Sequence, residues 1–151
     1  MTVKWLINTF TDLSAENLYK VAYERIRTFV IAQNRVYQEV DETDLVAHHV
    51  MGFRDGRLVA YARIFTEQGH VTFGRVLTIP EARGQGLGRQ LMSQIEAEIR
   101  RDYPGLPISI EAQVDKQGFY EKFGYRAQGA SFNFHGTPHV RMDKPALRLA
   151  Q

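Results

Sequence analysis

One stretch constrains this chain more than any other. Residues 72–101 join an apolar run, a proline, three spaced glycines and an amphipathic run, in that order. Thr72 to Ile79 is rich in β-branched and aromatic residues and reads as a largely buried strand. Pro80 cannot donate to a strand ladder, so the strand is expected to stop there. Past the glycines, Leu87, Leu91, Ile95 and Ile99 recur every fourth residue with Met92 beside them. That is one face of a helix, ended by Pro104-Gly105. The next apolar run, Pro107 to Gln113, is a second strand. A strand–helix–strand order requires a crossover, so the two strands are expected to be parallel neighbours.

The turn between strand and helix is built for an anion. The first N–H groups of a helix have no partner within it, and the aligned peptide dipoles add about half a positive charge at that end. Gly84, Gly86 and Gly88 remove side chains from the approach, so a phosphate can reach the backbone. The turn has no Gly-Lys-Ser/Thr ending, which excludes a nucleotide-hydrolysing P-loop. A dinucleotide fingerprint fails too, because Arg89 stands where its third glycine belongs and Glu111 lies inside its strand rather than at its end. What remains is Arg83-x-x-Gly86-x-Gly88 after a proline-ended strand.

Composition narrows the field further. A chain of 151 residues is one domain, 1–151, able to bury a sizeable core. The net charge of +2 gives no support to a nucleic-acid or membrane partner, while Arg75, Arg83 and Arg89 around the turn suit a small polyanion. There is no cysteine, which excludes a disulfide scaffold, a thiolate nucleophile and a cysteine zinc site. His135 and His139 are spaced like metal ligands, but a glycine and a proline intervene and no carboxylate adjoins, so no metal is expected. No apolar run approaches a membrane span and no cleavable leader opens the chain, so a cytoplasmic protein is expected.

Elsewhere the pattern is that of alternating elements. Val3 to Phe10 reads as a first strand. Ser14 caps a helix whose inner face runs Leu18, Val21, Ala22, Arg25-Ile26, Phe29 and Val30. Between Gln33 and Asp44 the periodicity is lost and Glu39, Asp41, Glu42 and Asp44 accumulate. Val46 to Pro80 reads as three antiparallel strands, the first two joined at Asp55-Gly56. After the crossover, Asp115 is expected to cap a short helix carrying Phe119, Tyr120 and Phe123, ended by Gly124. Tyr125–Phe132 and His139–Asp143 read as two last strands, and the tail from Pro145 as frayed.

The turn Arg83-x-x-Gly86-x-Gly88 resembles the acetyl-CoA motif of the GNAT N-acetyltransferase superfamily. Gly118-Phe119-Tyr120-Glu121-Lys122-Phe123-Gly124-Tyr125 resembles the signature that follows the second parallel strand in the same proteins. Phe29-Val30-x-x-Gln33-x-x-x-Tyr37-Gln38-x-x-Asp41, Gly74-Arg75-Val76 and Pro138-His139-Val140-x-Met142 look like the ElaA-like branch, with Ala32 departing where a glutamate is expected. The resemblance implies an α/β fold: a mixed, mostly antiparallel sheet of about seven strands, its central parallel pair splayed, with flanking helices. It implies acetyl-CoA as co-substrate in the splay. Val76, Leu77 and Thr78 would offer backbone groups to the acetyl and pantetheine portions, and Arg83, Gly84, Gln85, Gly86, Leu87, Gly88 and Arg89 would hold the pyrophosphate. Tyr120 would protonate the leaving thiolate, and Glu111 would deprotonate the amine, although strand alternation puts it opposite the apolar face of its strand. The acceptor is expected to be an amine on a small molecule or peptide, met by Glu39, Asp41 and His139, with His49 a second histidine able to face the cleft. A homodimer is compatible with the same resemblance. A module that binds acyl-CoA without catalysis is the alternative, and it would need no Tyr120.

Overall fold

The computed structural model describes residues 2–148. Seven strands form one sheet: β1 (Lys4–Thr9), β2 (His48–Arg54), β3 (Arg57–Glu67), β4 (His70–Thr78), β5 (Ile108–Gln113), β6 (Arg126–Phe134) and β7 (Thr137–Lys144). Their order across the sheet is β1-β2-β3-β4-β5-β7-β6, and only β4 and β5 are parallel. The expected meander is present, with Asp55 and Gly56 both at positive φ in the two-residue turn between β2 and β3.

Helix α1 (Ala15–Arg25) starts where Ser14 accepts a hydrogen bond from the Asn17 N–H. The apolar periodicity runs on to Val30, but the backbone does not keep the α-helical period. Ile26–Ile31 forms a π-helical turn, closed by Ala32 N–H to the Arg27 carbonyl. Helix α2 (Leu87–Asp102) is the crossover and buries Leu87, Leu91, Met92, Ile95 and Ile99, the face the four-residue repeat describes. The two helices cover opposite faces of the sheet. His48 of β2 reaches Glu98 of α2, whereas its neighbour His49 reaches Tyr61, which Arg25 of α1 also contacts.

Three sequence expectations need correction. Asp115 does not cap α3 (Gln117–Glu121); a 3-10 turn, Val114–Lys116, leads straight into that helix, and Phe123 falls beyond its end. The tail is held through Leu147, which is buried and whose carbonyl accepts from the Gly105 N–H. The last two strands are longer than read, since His135 and Gly136, both at positive φ, make a tight turn that lets pairing run to Phe134 and from Thr137.

The parallel pair positions the site. β4 and β5 touch at one register pair, Val71 with Ile108, next to a Val71 N–H bond to the Pro107 carbonyl. Beyond it the strands separate. From Thr72 to Thr78 every second residue of β4 therefore turns its N–H and C=O toward an unpaired gap. On its other edge β4 carries a bulge: Gly74 pairs with Arg63 and Leu77 with Tyr61, so Arg75 and Val76 together face Ala62. Arg75 sits at φ 51°, the left-handed conformation that side chains rarely adopt.

Candidate active site

The glycine turn opens beside the gap. A 3-10 turn, Pro80–Ala82, follows β4, and the chain then swings through Gly84 (φ 80°) and Gly86 (φ 74°) into α2. No acceptor among the described residues takes the N–H groups from Gly84 to Arg89; the first bond of the helix is Gln90 N–H to the Gly86 carbonyl. These donors border a cavity of about 370 Å³, also lined by Thr78, Arg83, Arg89, Phe119, Lys122 and Phe123. The glycines have separate reasons to be small. Gly86 takes a left-handed turn, whereas a Cβ on Gly88 would lie 3.3 Å from the ring of Phe119. Gly88 thus lets α3 close against the first turn of α2, so Phe119 can form one wall of the cavity. Unpaired N–H groups, three cations and two aromatic walls fit an elongated polyanion with an apolar portion.

Tyr120 stands behind that wall. Its ring packs among Phe73 (6.1 Å), Tyr125 (6.1 Å) and Phe119 (5.2 Å). The hydroxyl has no hydrogen-bond partner among the described residues. It is not sealed either, for the buried side-chain atoms lacking both partner and solvent are Nε of Arg54 and of Arg63. Burial raises the phenol pKa above its usual value, so it stays protonated at neutral pH.

On the opposite face, Glu39, Asp41 and Asp44 of the acidic run are drawn into arginine contacts, while Glu42 is exposed. Glu39 is 4% exposed and receives Arg25 Nε at 2.7 Å and Arg75 Nε at 3.0 Å, and Tyr37 also donates to it. Asp44 takes Arg25 Nη1 at 2.7 Å and Arg63 Nη1 at 3.0 Å. Asp41 takes both terminal nitrogens of Arg63, at 2.6 and 3.1 Å. The carboxylates expected to meet an ammonium group therefore already have arginine partners. Burial opposes ionisation of Asp44, but the hydrogen bond and charge of Arg25 outweigh it and hold its pKa below the ordinary value. His49 is also committed: Nδ1 lies 2.6 Å from the Tyr61 hydroxyl and Nε2 2.9 Å from the Asp44 carbonyl, and burial lowers its pKa.

Residues 12–146 match the family model described as Acetyltransferase (GNAT) domain. The chain belongs to the GNAT acetyltransferase family. It is 32% identical to Protein ElaA of Escherichia coli over 151 residues, covering 97% of this chain and 99% of that one. A UPF0039 protein of Synechocystis is 34% identical over 146 residues, with 94% and 95% covered. Two solved structures superpose with TM-scores of 0.90. One is an acyl-CoA N-acyltransferase from Pseudomonas aeruginosa (35% identity, 95% of this chain and 99% of that chain covered), the other E. coli ElaA (32%, with the same coverage). The seven-stranded sheet and flanking helices are those of the GNAT fold, and the family uses acyl-CoA. Among the described residues no helix is long and apolar enough to cross a membrane.

The other residues expected at the site from sequence lie on β4, β5 and β7. Val76, Leu77 and Thr78 run from the bulge to the end of β4, with Thr78 in the cavity wall. Glu111 is exposed on the face opposite the buried Ile110 and Ala112, with Arg141 as its β7 partner. Gln113, on that same face, donates to Gln33 just beyond α1. His139 pairs with Gln113 across the sheet and is buried between Phe132 and Phe134. His135 and His139 do not share a carboxylate; His135 stacks on Tyr37 at 4.9 Å. The described side chains that could close around an ion are instead His48, Glu98 and Asp102. No sequence spacing announces that group, since it joins β2 to the far end of α2. It serves as a hydrogen-bonded pair, His48 Nδ1 to Glu98 at 2.7 Å, and Arg101 also salt-bridges Glu98.

Proposed function

We propose that this protein transfers the acetyl group of acetyl-CoA directly to a primary amine of a small molecule or peptide. The observation that carries the reading is the row of unpartnered N–H groups from Gly84 to Arg89, set beside the gap between β4 and β5. Arg83, Arg89 and Lys122 match the pyrophosphate in charge, and the free β4 edge matches the amides of pantetheine. No cysteine exists to carry an acyl group, so attack by the amine is direct. Positioning in the gap and the fixed backbone donors around the bulge supply most of the acceleration. Tyr120, protonated and reachable, donates to the departing sulfur.

The test is release of free CoA from acetyl-CoA with spermidine, tyramine, glucosamine, lysine methyl ester and a peptide bearing both an α-amine and a lysine. At least one acceptor is expected to turn over. Tyr120→Phe is expected to lower kcat by about 10²-fold with little change in acetyl-CoA affinity. A loss below about threefold would remove the proton-donor role. Tight acetyl-CoA binding with no acceptor in the panel acetylated would favour a non-catalytic acyl-CoA module.

A further inference from the structure

We infer that His139 is the general base that takes the proton from the attacking amine. The inference rests on the acetyl-transfer reading of the same gap. Its first support is the tautomer. Nδ1 of His139 lies 2.8 Å from the Thr137 carbonyl, which can only accept, so Nδ1 carries a hydrogen and, in the neutral ring, the lone pair is on Nε2. The ring is fixed as well: Phe132 stacks on it at 6.1 Å and Phe134 meets it edge-on at 5.3 Å. Nε2 has no hydrogen-bond partner among the described residues, and it is not among the buried atoms closed to solvent. The side chain is therefore a buried imidazole with one basic nitrogen left open.

The second support is height along the gap. β4 and β5 are parallel and cross at Val71 and Ile108. Val76 is five residues past Val71, but Arg75 and Val76 share one step of the ladder, so Val76 stands about four strand steps beyond the crossing and Gln113 five. The Gln113–His139 pair thus lies about one step beyond the bulge, across the gap from it. Glu111 shares the face and lies about one step short of the bulge, but it is exposed to water where His139 is buried. His49, the other buried histidine on this side, has both nitrogens committed.

The third support is sidedness. Tyr120 packs with Phe73 and Tyr125, and Tyr125 donates to Glu96 of α2, so the acid belongs to the α2 face. His139 aligns with Gln113, whose amide reaches Gln33 beyond α1, so the base belongs to the α1 face. A thioester in the gap would lie between them. As the neutral amine nitrogen bonds to the carbonyl carbon, the carbon–sulfur bond breaks. The nitrogen's proton goes to Nε2 of His139, and the sulfur takes the proton of Tyr120. The products are an amide and free CoA thiol, and one proton passing from imidazolium to phenolate resets the pair.

The test uses the full chain with the best acceptor of the amine panel. His139→Gln is expected to lower kcat by about 10²-fold while acetyl-CoA affinity, read by calorimetry, stays within about twofold. His139→Gly is expected to regain activity saturably on addition of free imidazole, which a purely structural histidine would not allow. Glu111→Gln is expected to lower kcat by much less than His139→Gln does. Loss of rate in Glu111→Gln with none in His139→Gln overturns the assignment, as does a His139→Gly variant that folds, binds acetyl-CoA and ignores imidazole. The wild-type protein also allows a test without an acceptor. ¹⁵N chemical shifts of His139 are expected to report hydrogen on Nδ1, and hydrogen on Nε2 would overturn the proposal. If no amine is acetylated, the transfer reading fails and the nitrogen spectrum alone decides the tautomer on which the proposal depends.

Discussion

Between Glu39 and Asp44, carboxylates lie against arginines, and between Gly84 and Arg89 a row of N–H groups faces open space. Both segments are rich in polar groups: the first is a loop running into a 3-10 turn, the second a glycine turn running into α2. In the first, Arg25, Arg63 and Arg75 converge from α1, β3 and β4 on Glu39, Asp41 and Asp44, largely out of water. In the second, no group among the described residues answers the backbone donors, and Arg83 and Arg89 stay exposed. Charge density alone does not separate a ligand site from a structural joint. What separates them is whether the polar groups already have partners. A buried ion cluster gains little net stability from its charges, but removing one member leaves the others stranded. An unanswered row of donors at a helix start costs little in water and is available to an anion.

The largest effect expected from this contrast is on stability. Arg25→Met leaves Glu39 and Asp44 each short of a buried partner and should cost about 3–5 kcal/mol in denaturant unfolding. Arg89→Met, on the exposed side of the turn, should change stability by less than about 0.5 kcal/mol. Similar losses in the two variants would erase the distinction.

A smaller effect sharpens it through pH. The folded-state pKa of Asp44 is depressed, chiefly by Arg25 acting against burial. Its stabilisation is therefore fully present above the unfolded carboxylate pKa of about 3.9 and fades as pH falls through the lower folded value. Asp44→Asn should be less stable than wild type near neutrality, and the gap should narrow as denaturant midpoints are followed below about pH 4. A gap independent of pH would mean that the Asp44 charge contributes nothing.

The sequence shows why the two loops are unequally legible. The turn announces itself because its glycines, proline and helical repeat are consecutive, and local rules suffice. The β2–β3–β4 meander and the parallel return are readable for the same reason. The arginine partners of Glu39, Asp41 and Asp44 are not legible because they come from three distant elements, and no local pattern ties Arg63 or Arg75 to residues 39–44. One signal was available: Arg25 falls four residues after Val21 on the inner face of α1, where an arginine needs a buried counter-charge. The π-helical turn at Ile26–Ile31 left no trace, because one extra residue in the turn hardly disturbs a six-residue apolar pattern. The tautomer of His139 depends on a carbonyl two residues away in a tight turn, which residue identity does not encode.

The central claim is that the unanswered donors from Gly84 to Arg89 hold the pyrophosphate of acetyl-CoA. Gly86→Asp tests it: the left-handed φ of 74° strains any side chain, but a Cβ there meets nothing within 4 Å and aspartate reaches positive φ more readily than most residues, so the variant is first checked for native folding by circular dichroism. Calorimetric titration of acetyl-CoA into wild type, Gly86→Asp and Glu39→Gln compares the two loops directly. Loss of at least about 100-fold in affinity is expected for Gly86→Asp, or ~2.7 kcal/mol, with affinity in folded Glu39→Gln within about twofold of wild type. Undiminished binding by Gly86→Asp would contradict the claim.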